Sequence, residues 1–263
     1  MELSTKTKIK VHFQRFEFKY QLPVETIEGL LPQLLKYLEF DPYAQRLPGR
    51  QYTVASLYYD SAGLDCYYQK LAGLRTRKKL RVRLYDFNLK PETPVFLEIK
   101  RKYDTVVVKD RLTMSYQACQ DLLVNNKKPA TPLSDHDQET LNEFLWLKLY
   151  NGMVPQVMVL YDRKPLVGRV DPQFRVTIDS NVRTFTADWL TAKGIAQPVS
   201  RGIAVLEVKF NNVLPFWFHQ IIRRYNLAQQ PFSKYCRSLE TCQPALSAES
   251  SLEIYQAQLG LSS

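Results

Sequence analysis

The stretch RFEFK, at residues 15–19, alternates charged and aromatic side chains. Because successive side chains of a β-strand point to opposite faces, Arg15, Glu17 and Lys19 should share one face and the two phenylalanines the other. Five later stretches repeat this arrangement, with charged residues two apart: Arg81/Arg83, Glu98/Lys100, Lys109/Arg111, Arg175/Thr177/Asp179 and Glu207/Lys209. The sequence therefore predicts a sheet with one densely charged face, suited to a multivalent anion.

The overall charge also favours an anionic partner. Among 263 residues, 36 Lys and Arg outnumber 26 Asp and Glu, which gives a formal net charge of +10 and a pI near 9.3. This balance favours nucleic acid, acidic lipid or a phosphorylated small molecule. A basic surface without such a partner is the alternative that charge alone leaves open. The length suits one large or two small domains, and 45% hydrophobic residues can form a core.

The cysteines and the N-terminus bear on the cellular compartment. Cys66, Cys119, Cys236 and Cys242 form no CxxC pair, so neither a zinc site nor a redox motif is predicted. Four cysteines in a chain of this length do not demand disulfides, which favours a reducing cytoplasm. The N-terminal sequence lacks the apolar centre of a signal peptide, and no apolar run is long enough to span a bilayer. We therefore expect a cytoplasmic protein with no direct membrane span.

Strand patterns alternate with helical patterns along the chain. Alternation and β-formers predict strands at residues 11–20, 52–60, 78–86, 94–102, 105–113, 155–164, 172–180 and 203–211. Apolar spacing predicts helices at 24–40, 62–72, 115–126, 135–150, 214–227 and 233–242, with a small hairpin in 181–202. No repeat or linker divides the chain. We expect one α+β domain over residues 1–243 and a C-terminal tail over 244–263 that forms a short helix or is disordered.

Two arrangements would account for the charged strand faces. In a half-exposed antiparallel sheet, the apolar faces turn inward and the charges meet water. In a closed barrel, the charged faces turn inward and helices cover the apolar faces. Burial of such charges is costly without compensation, whereas phosphates would supply charge-assisted hydrogen bonds. Closure would gather these cations around one lumen: Arg15, Lys19, Arg81, Arg83, Lys100, Lys109, Arg111, Arg175 and Lys209.

Three glutamates interrupt the cationic faces. Glu17, Glu98 and Glu207 each lie two residues from a lysine, so simple pairing is one interpretation. The other is ligation of Mg²⁺ or Mn²⁺, which prefer carboxylate oxygens and bridge substrate phosphates. Cationic walls with metal-binding carboxylates suit phosphoryl transfer, which depends on positioning and charge neutralisation.

Other chemistries find little support in the sequence. It contains neither GxxxxGK[ST] nor GxGxxG, and its three histidines lie in unrelated contexts. Lys234 stands at the start of a predicted helix, where an ordinary surface lysine and a phosphate contact are both compatible with the sequence. The aromatic residues show no stacking arrangement typical of nucleic-acid surfaces, so no nucleic acid is expected.

The ordered set of charged motifs resembles a known family. Its pieces are RFEFKY (15–20), SLYYD (56–60), KKLRVRLYD (78–86), FLEIKRK (96–102), VKDRLTM (108–114), VLYDRKPL (159–166), FRVTIDSNV (174–182), VLEVKF (205–210) and FSKYC (232–236). Together they cover about residues 11–240. In this order, they resemble the polyphosphate polymerase domain of vacuolar transporter chaperone (VTC) proteins, within the CYTH-like triphosphate tunnel metalloenzymes.

The resemblance implies an eight-stranded antiparallel barrel, the triphosphate tunnel, with helices packed around the outside. It implies phosphate-binding walls formed by Lys19, Arg81, Arg83, Lys100, Lys109, Arg163 and Arg175. Strand phase adds Arg111 and Lys209 to these walls. The resemblance further implies that Glu207 is the main ligand of Mn²⁺ or Mg²⁺ and that Lys234 lies near the transferred phosphates. Such proteins transfer the γ-phosphate of ATP to a growing polyphosphate chain.

Two positions depart from the family pattern. Tunnel hydrolases commonly carry ExExK on the first strand, and Arg15 stands here in place of the first Glu. One fewer carboxylate weakens a two-metal hydrolytic arrangement and favours a polymerase. Pro231 stands where some family members place another basic residue, so substrate handling at that end should differ. Coupling of synthesis to transport would need a membrane-protein partner.

Three functions follow, in order of preference. The first is a metal-dependent polyphosphate polymerase that uses ATP. The second is a triphosphatase or polyphosphatase in which water enters the same tunnel as the nucleophile. The third is a non-catalytic module that binds polyphosphate or another anion, with salt-sensitive binding and no turnover.

Overall fold

The computed structural model describes residues 15–104, 106–129, 132–190 and 195–246. Its strands are β1 (Arg15–Pro23), β2 (Leu38–Phe40), β3 (Tyr52–Asp60), β4 (Thr76–Leu84), β5 (Pro94–Tyr103), β6 (Val106–Ser115), β7 (Val154–Gly168), β8 (Arg175–Thr186), β9 (Gln197–Pro198) and β10 (Ile203–Asn211). Its α-helices are α1 (Thr26–Leu34), α2 (Asp65–Leu71), α3 (Tyr116–Leu123), α4 (Asp135–Tyr150), α5 (Phe216–Arg224) and α6 (Lys234–Cys242).

Eight long strands form one antiparallel sheet in the order β1-β10-β8-β7-β3-β4-β5-β6. The short strands β2 and β9 pair with β7 and β8, outside this path. The predicted α+β class and the eight-stranded antiparallel arrangement are thus confirmed. Within the part of the chain described, no backbone pairing joins the end strands β1 and β6.

The sheet curls so strongly that its ends approach each other. Strands β1 and β5 lie six places apart in the sheet, which would separate them by roughly 29 Å if the sheet were flat. Yet Lys100 Nζ of β5 lies 3.8 Å from Glu17 Oε1 of β1. The charged strand faces therefore turn toward one another around a common interior, which we call the tunnel.

Helices cover the outward apolar faces of the strands in two groups. One core contains Leu80, Leu97 and Ile99 of the sheet with Phe144 of α4 and Leu239 of α6. The other core packs Leu206 and Val208 of β10 against Leu30 of α1 and Phe218 of α5. Burial of these faces outside the tunnel leaves the charged faces inside it, as the barrel interpretation predicts.

Two predicted element boundaries were wrong. The helix predicted over residues 24–40 ends at Leu34, and Leu38 instead enters β2 opposite Gly168. Apolar residues four apart continue through Leu30, Leu34 and Leu38, and all three are buried, so spacing alone did not show the change of element. The strand predicted over 172–180 continues to Thr186 as β8, and its antiparallel pairing with β9 confirms the small hairpin predicted within 181–202.

None of the described helices is both long and apolar enough to cross a bilayer. The predicted tail at 244–263 falls outside the described residues from position 247 onward.

Candidate anion-binding site

Glu98 of β5 organises the first of three charged clusters in the tunnel. Its carboxylate is fully buried and accepts hydrogen bonds from Arg81 Nε of β4 at 2.6 Å and from Arg111 Nε of β6 at 2.8 Å. Lys109 Nζ lies 2.5 Å and Arg83 3.9 Å from it. The register explains this gathering, since Glu98 stands directly opposite Arg81 on one neighbouring strand and Arg111 on the other. Four cations thus share one carboxylate.

Glu17 and Glu207 form the second cluster across strands β1 and β10. Lys19 Nζ lies 3.2 Å from Glu17 and 3.7 Å from Glu207. Lys209 Nζ lies 2.6 Å from Glu207 and 3.9 Å from Glu17. Burial and the neighbouring Glu207 act to raise the pKa of Glu17, but three lysines outweigh them and lower it. The pKa of Glu207 is also lowered, because its lysine neighbours overcome the effect of burial.

Asp179 of β8 organises the third cluster, and we did not select it from the sequence. It is fully buried and accepts two hydrogen bonds from Arg163, at 2.7 and 2.8 Å. Lys234 Nζ, at the start of α6, donates to the same carboxylate at 2.6 Å. The alternation in RVTID places Asp179 on the same strand face as Arg175, which is the sequence signal for this residue.

Two tyrosines, also missed, complete the walls. Tyr58 Oη accepts a hydrogen bond from Arg81 at 2.9 Å, and Tyr161 Oη accepts one from Arg83 at 3.3 Å. Burial raises the pKa of Tyr58, but Arg81 and Arg83 outweigh it and bring the pKa to about 8. Lys234 Nζ lies 4.6 Å from the centre of the Tyr161 ring. In the motifs SLYYD and VLYD, the sequence pattern indicated only that these tyrosines belong to β-strands.

A buried hydrogen-bond network fixes helix α6, which carries Lys234. Asp60, at the end of β3, accepts from the backbone amides of Cys66 at 2.8 Å and Tyr67 at 3.1 Å in α2. Tyr235, next to Lys234, donates its hydroxyl to the same carboxylate. Strand, helix α2 and helix α6 therefore meet at one side chain, which places Lys234 beside Asp179.

The predicted site residues come together with two exceptions. Nine cations contact the carboxylates of the three clusters, which we call the cage: Lys19, Arg81, Arg83, Lys100, Lys109, Arg111, Arg163, Lys209 and Lys234. Arg175 is exposed at the start of β8, opposite Lys209 in register. The backbone of Arg15 pairs with Asn211, and its side chain lies outside the described part.

The cage has a formal excess of positive charge. Its nine cations face four carboxylates, those of Glu17, Glu98, Asp179 and Glu207. Like charges at this density repel one another, and an anion with several phosphates would relieve the repulsion. Arginine offers bidentate contacts to phosphate, and lysine offers a compact point charge.

The pKa of the cage cation Lys109 lies close to neutral pH. Burial lowers its pKa most; Glu98 opposes this effect, whereas Arg81 and Arg83 add to it, and the pKa falls to about 7. Because an anion binds the protonated form better, phosphate binding should weaken as the pH rises through about 7.

Replacement of Lys109 with arginine should remove this pH dependence, because a guanidinium remains protonated. Between pH 6 and pH 8, the ratio of variant to wild-type affinity for tripolyphosphate should rise about tenfold. The ratio cancels titration of the ligand's own terminal phosphates, which have a pKa near 6. Calorimetry at fixed ionic strength measures it, with the exposed Lys127→Arg as control. A constant ratio would exclude Lys109 as the titrating group.

Aromatic rings line one end of the tunnel beside the cage. Tyr43, Tyr52, Tyr85 and Phe96 follow one another with ring centroids 5.3, 5.6 and 5.4 Å apart. The Arg111 guanidinium lies 4.8 Å from the centre of the Phe96 ring. These residues come from separate elements, so the sequence did not show their association.

The carboxylates of Glu17 and Glu207 fit a hard metal ion better than that of Glu98. Among the described residues, no group of three or more His, Cys, Asp or Glu could hold a metal by itself. Mg²⁺ commonly binds through one or two carboxylates together with substrate phosphates, and the Glu17/Glu207 pair offers that number. The four cations around Glu98 favour the pairing interpretation for that residue.

Comparison with known proteins identifies the family. The VTC domain matches residues 14–243. A Bacillus halodurans structure, provisionally classed as an adenylate cyclase, aligns with a TM-score of 0.48 and 14% identity over 84% of this chain and 95% of that one. A Pyrococcus horikoshii protein gives 0.43 and 13% over 86% and 99%. The Mimivirus capping enzyme triphosphatase gives 0.27 and 6% over 80% and 87%. No curated protein sequence matches the chain. The domain match spans most of the sequence, and the chain belongs to the VTC domain family.

Proposed function

We propose that this protein is a metal-dependent polyphosphate polymerase, which transfers the γ-phosphate of ATP to an inorganic polyphosphate chain in the tunnel. The observation that carries the proposal is the cage of nine cations around four carboxylates. Membership of the VTC domain family supports the same substrate class. The resemblance to VTC polymerases supplies ATP as the donor and Mn²⁺ or Mg²⁺ as the cofactor.

The aromatic end of the tunnel supports a nucleotide donor. Tyr52, Tyr85 and Phe96 are only partly buried and lie next to Arg111, so a purine could stack there while its phosphates enter the cage. Base–aromatic stacking is favourable for every nucleobase and requires no specific hydrogen bonds. An inorganic triphosphate has no base that could stack on these rings.

The cage carboxylates are poorly suited to activate water as the acceptor. All four cage carboxylates are ion-paired, and the pKa values of Glu17, Glu98, Asp179 and Glu207 are lowered despite burial. Such groups are weak bases at neutral pH, and general-base catalysis is most effective when the pKa lies near the working pH. A terminal phosphate oxygen is already anionic and needs no base.

In the proposed reaction, a terminal oxygen of the polyphosphate chain attacks the γ-phosphorus of ATP. The bond from that phosphorus to the β,γ-bridging oxygen breaks, and ADP leaves with the electron pair. The cage cations Arg81, Arg83 and Lys234 hold and align the phosphates, as phosphoryl transfer requires. A metal ion bound by Glu207 and Glu17 would neutralise charge on the phosphate oxygens.

Incubation with ATP and Mn²⁺ tests the proposal. We expect polyphosphate chains that lengthen with time, together with one ADP for each phosphate added, and no reaction when EDTA replaces the metal. Gel electrophoresis of the polymer and quantitation of ADP and orthophosphate measure both products. Release of orthophosphate or pyrophosphate without polymer would identify a hydrolase instead.

A further inference from the structure

The charged face of the sheet continues beyond the cage at the end away from the aromatic rings. On β4, Arg77 and Lys79 precede Arg81 and Arg83 in steps of two, so all four share the inward face. On β5, Lys102 follows Lys100 in the same way. The register sets Arg77 opposite Lys102 and, at the other end of the pair, Arg83 opposite the aromatic Phe96.

Helix α2 brings a further cation to this end. Arg77 donates a hydrogen bond to the backbone oxygen of Gln69 at 3.4 Å, which places the last turn of α2 beside it. Lys70 follows Gln69 in that turn, and the charges of Arg77, Lys79 and Lys102 add to burial in lowering its pKa. We call Lys70, Arg77, Lys79 and Lys102 the outer cluster.

The outer cluster lacks the carboxylates that balance the cage. Lys79 stands directly opposite Lys100, and Arg77 opposite Lys102, so like charges face each other across two strands. Such cross-strand pairs are unfavourable unless an opposite charge intervenes. Within the described chain, none of the four forms an ion pair with a carboxylate, whereas every cage cation does. Lys79 Nζ instead lies 4.7 Å from the Tyr235 ring centre.

We propose that the outer cluster is a second binding site for the polyphosphate chain, which extends from the cage toward Arg77 and Lys102. This inference rests on the proposed function, because it takes polyphosphate as the ligand of the cage. The inward positions from Arg83 to Arg77 span about 20 Å along β4, which exceeds the reach of a compact phosphate. A linear polyanion can occupy cage and outer cluster together, whereas tripolyphosphate fills only the cage.

Substitution of Lys79 and Lys102 with glutamine tests this site. The double variant should bind polyphosphate of about 100 units at least tenfold more weakly than the wild type. The slope of log affinity against log salt concentration should also become shallower, because about two fewer counterions are released on binding. Its affinity for tripolyphosphate should stay within twofold. The matched control is Lys36→Gln with Lys127→Gln, which removes the same charge from exposed positions and should bind both ligands as the wild type does.

Further measurements separate this inference from the proposed function and from misfolding. The variant with Lys79→Arg and Lys102→Arg keeps both charges and should retain long-chain affinity, and the glutamine variant should melt no lower than the wild type. Unchanged long-chain binding by the glutamine variant would overturn the outer site alone. An equal loss for both ligands would also overturn it, because the cluster would then belong to the cage. If wild-type protein fails to bind tripolyphosphate, the proposed function fails with it.

Discussion

Replacement of Glu207 with glutamine should reduce polyphosphate synthesis on the order of 1000-fold without loss of the fold. The carboxylate is buried between Lys19 and Lys209, and glutamine keeps its shape and one acceptor oxygen but removes its charge. The variant therefore loses the strongest candidate ligand for the metal that phosphoryl transfer requires. Polymer formation from ATP with Mn²⁺ measures activity, and thermal unfolding checks the fold.

A metal-binding measurement distinguishes ligand loss from a general electrostatic change. In the presence of tripolyphosphate, Mn²⁺ should bind the wild type and bind Glu207→Gln at least tenfold more weakly, as read by the electron paramagnetic resonance of free Mn²⁺. Glu39→Gln is the matched control, since Glu39 pairs with Arg169 on the surface. Full polymerase activity of Glu207→Gln would show that Glu207 is not an essential metal ligand.

Replacement of Glu98 with glutamine should act mainly on stability. Removal of one partner from a buried ion pair destabilises by about 3 kcal/mol or more, because the remaining charge is left buried without compensation. Here Arg81, Arg83, Lys109 and Arg111 would all lose their carboxylate. For a chain of this size, 3 kcal/mol corresponds to a decrease in Tm of about 6–12 °C.

Tripolyphosphate should raise the Tm of Glu98→Gln more than that of the wild type, because phosphate oxygens would replace the missing carboxylate. Glu92→Gln, on an exposed loop, should melt as the wild type does. Differential scanning calorimetry with and without ligand measures both effects. A wild-type Tm for Glu98→Gln would argue against the pairing interpretation and return Glu98 to the candidate metal ligands.

Most of the fold and most of the cage were predictable because alternation in a strand is a strict geometric rule. Glu98 and Lys100 had to share a face, and antiparallel pairing then brought arginines from β4 and β6 to Glu98. The end of α1 was not predictable from spacing, because Leu38 is equally buried as the first residue of a strand.

The missed site residues depend on contacts between distant parts of the chain. Asp179 gains its importance from Lys234, which lies 55 positions away, and Tyr235 meets Asp60 across 175 positions. The aromatic end unites residues from four segments. Residue identity suggests what each side chain can do, but only the fold determines which side chains meet.

The pairing of every cage cation with a carboxylate has a consequence for movement of the polymer. Arginines and lysines that already hold oxygen ligands have lost much of their hydration during folding, so an incoming phosphate exchanges one oxygen partner for another. A chain that advances by one unit repeats the same exchange with the next phosphate, and its start and end states are chemically alike. In the proposed polymerase, such an exchange would keep the barrier to translocation within the cage low.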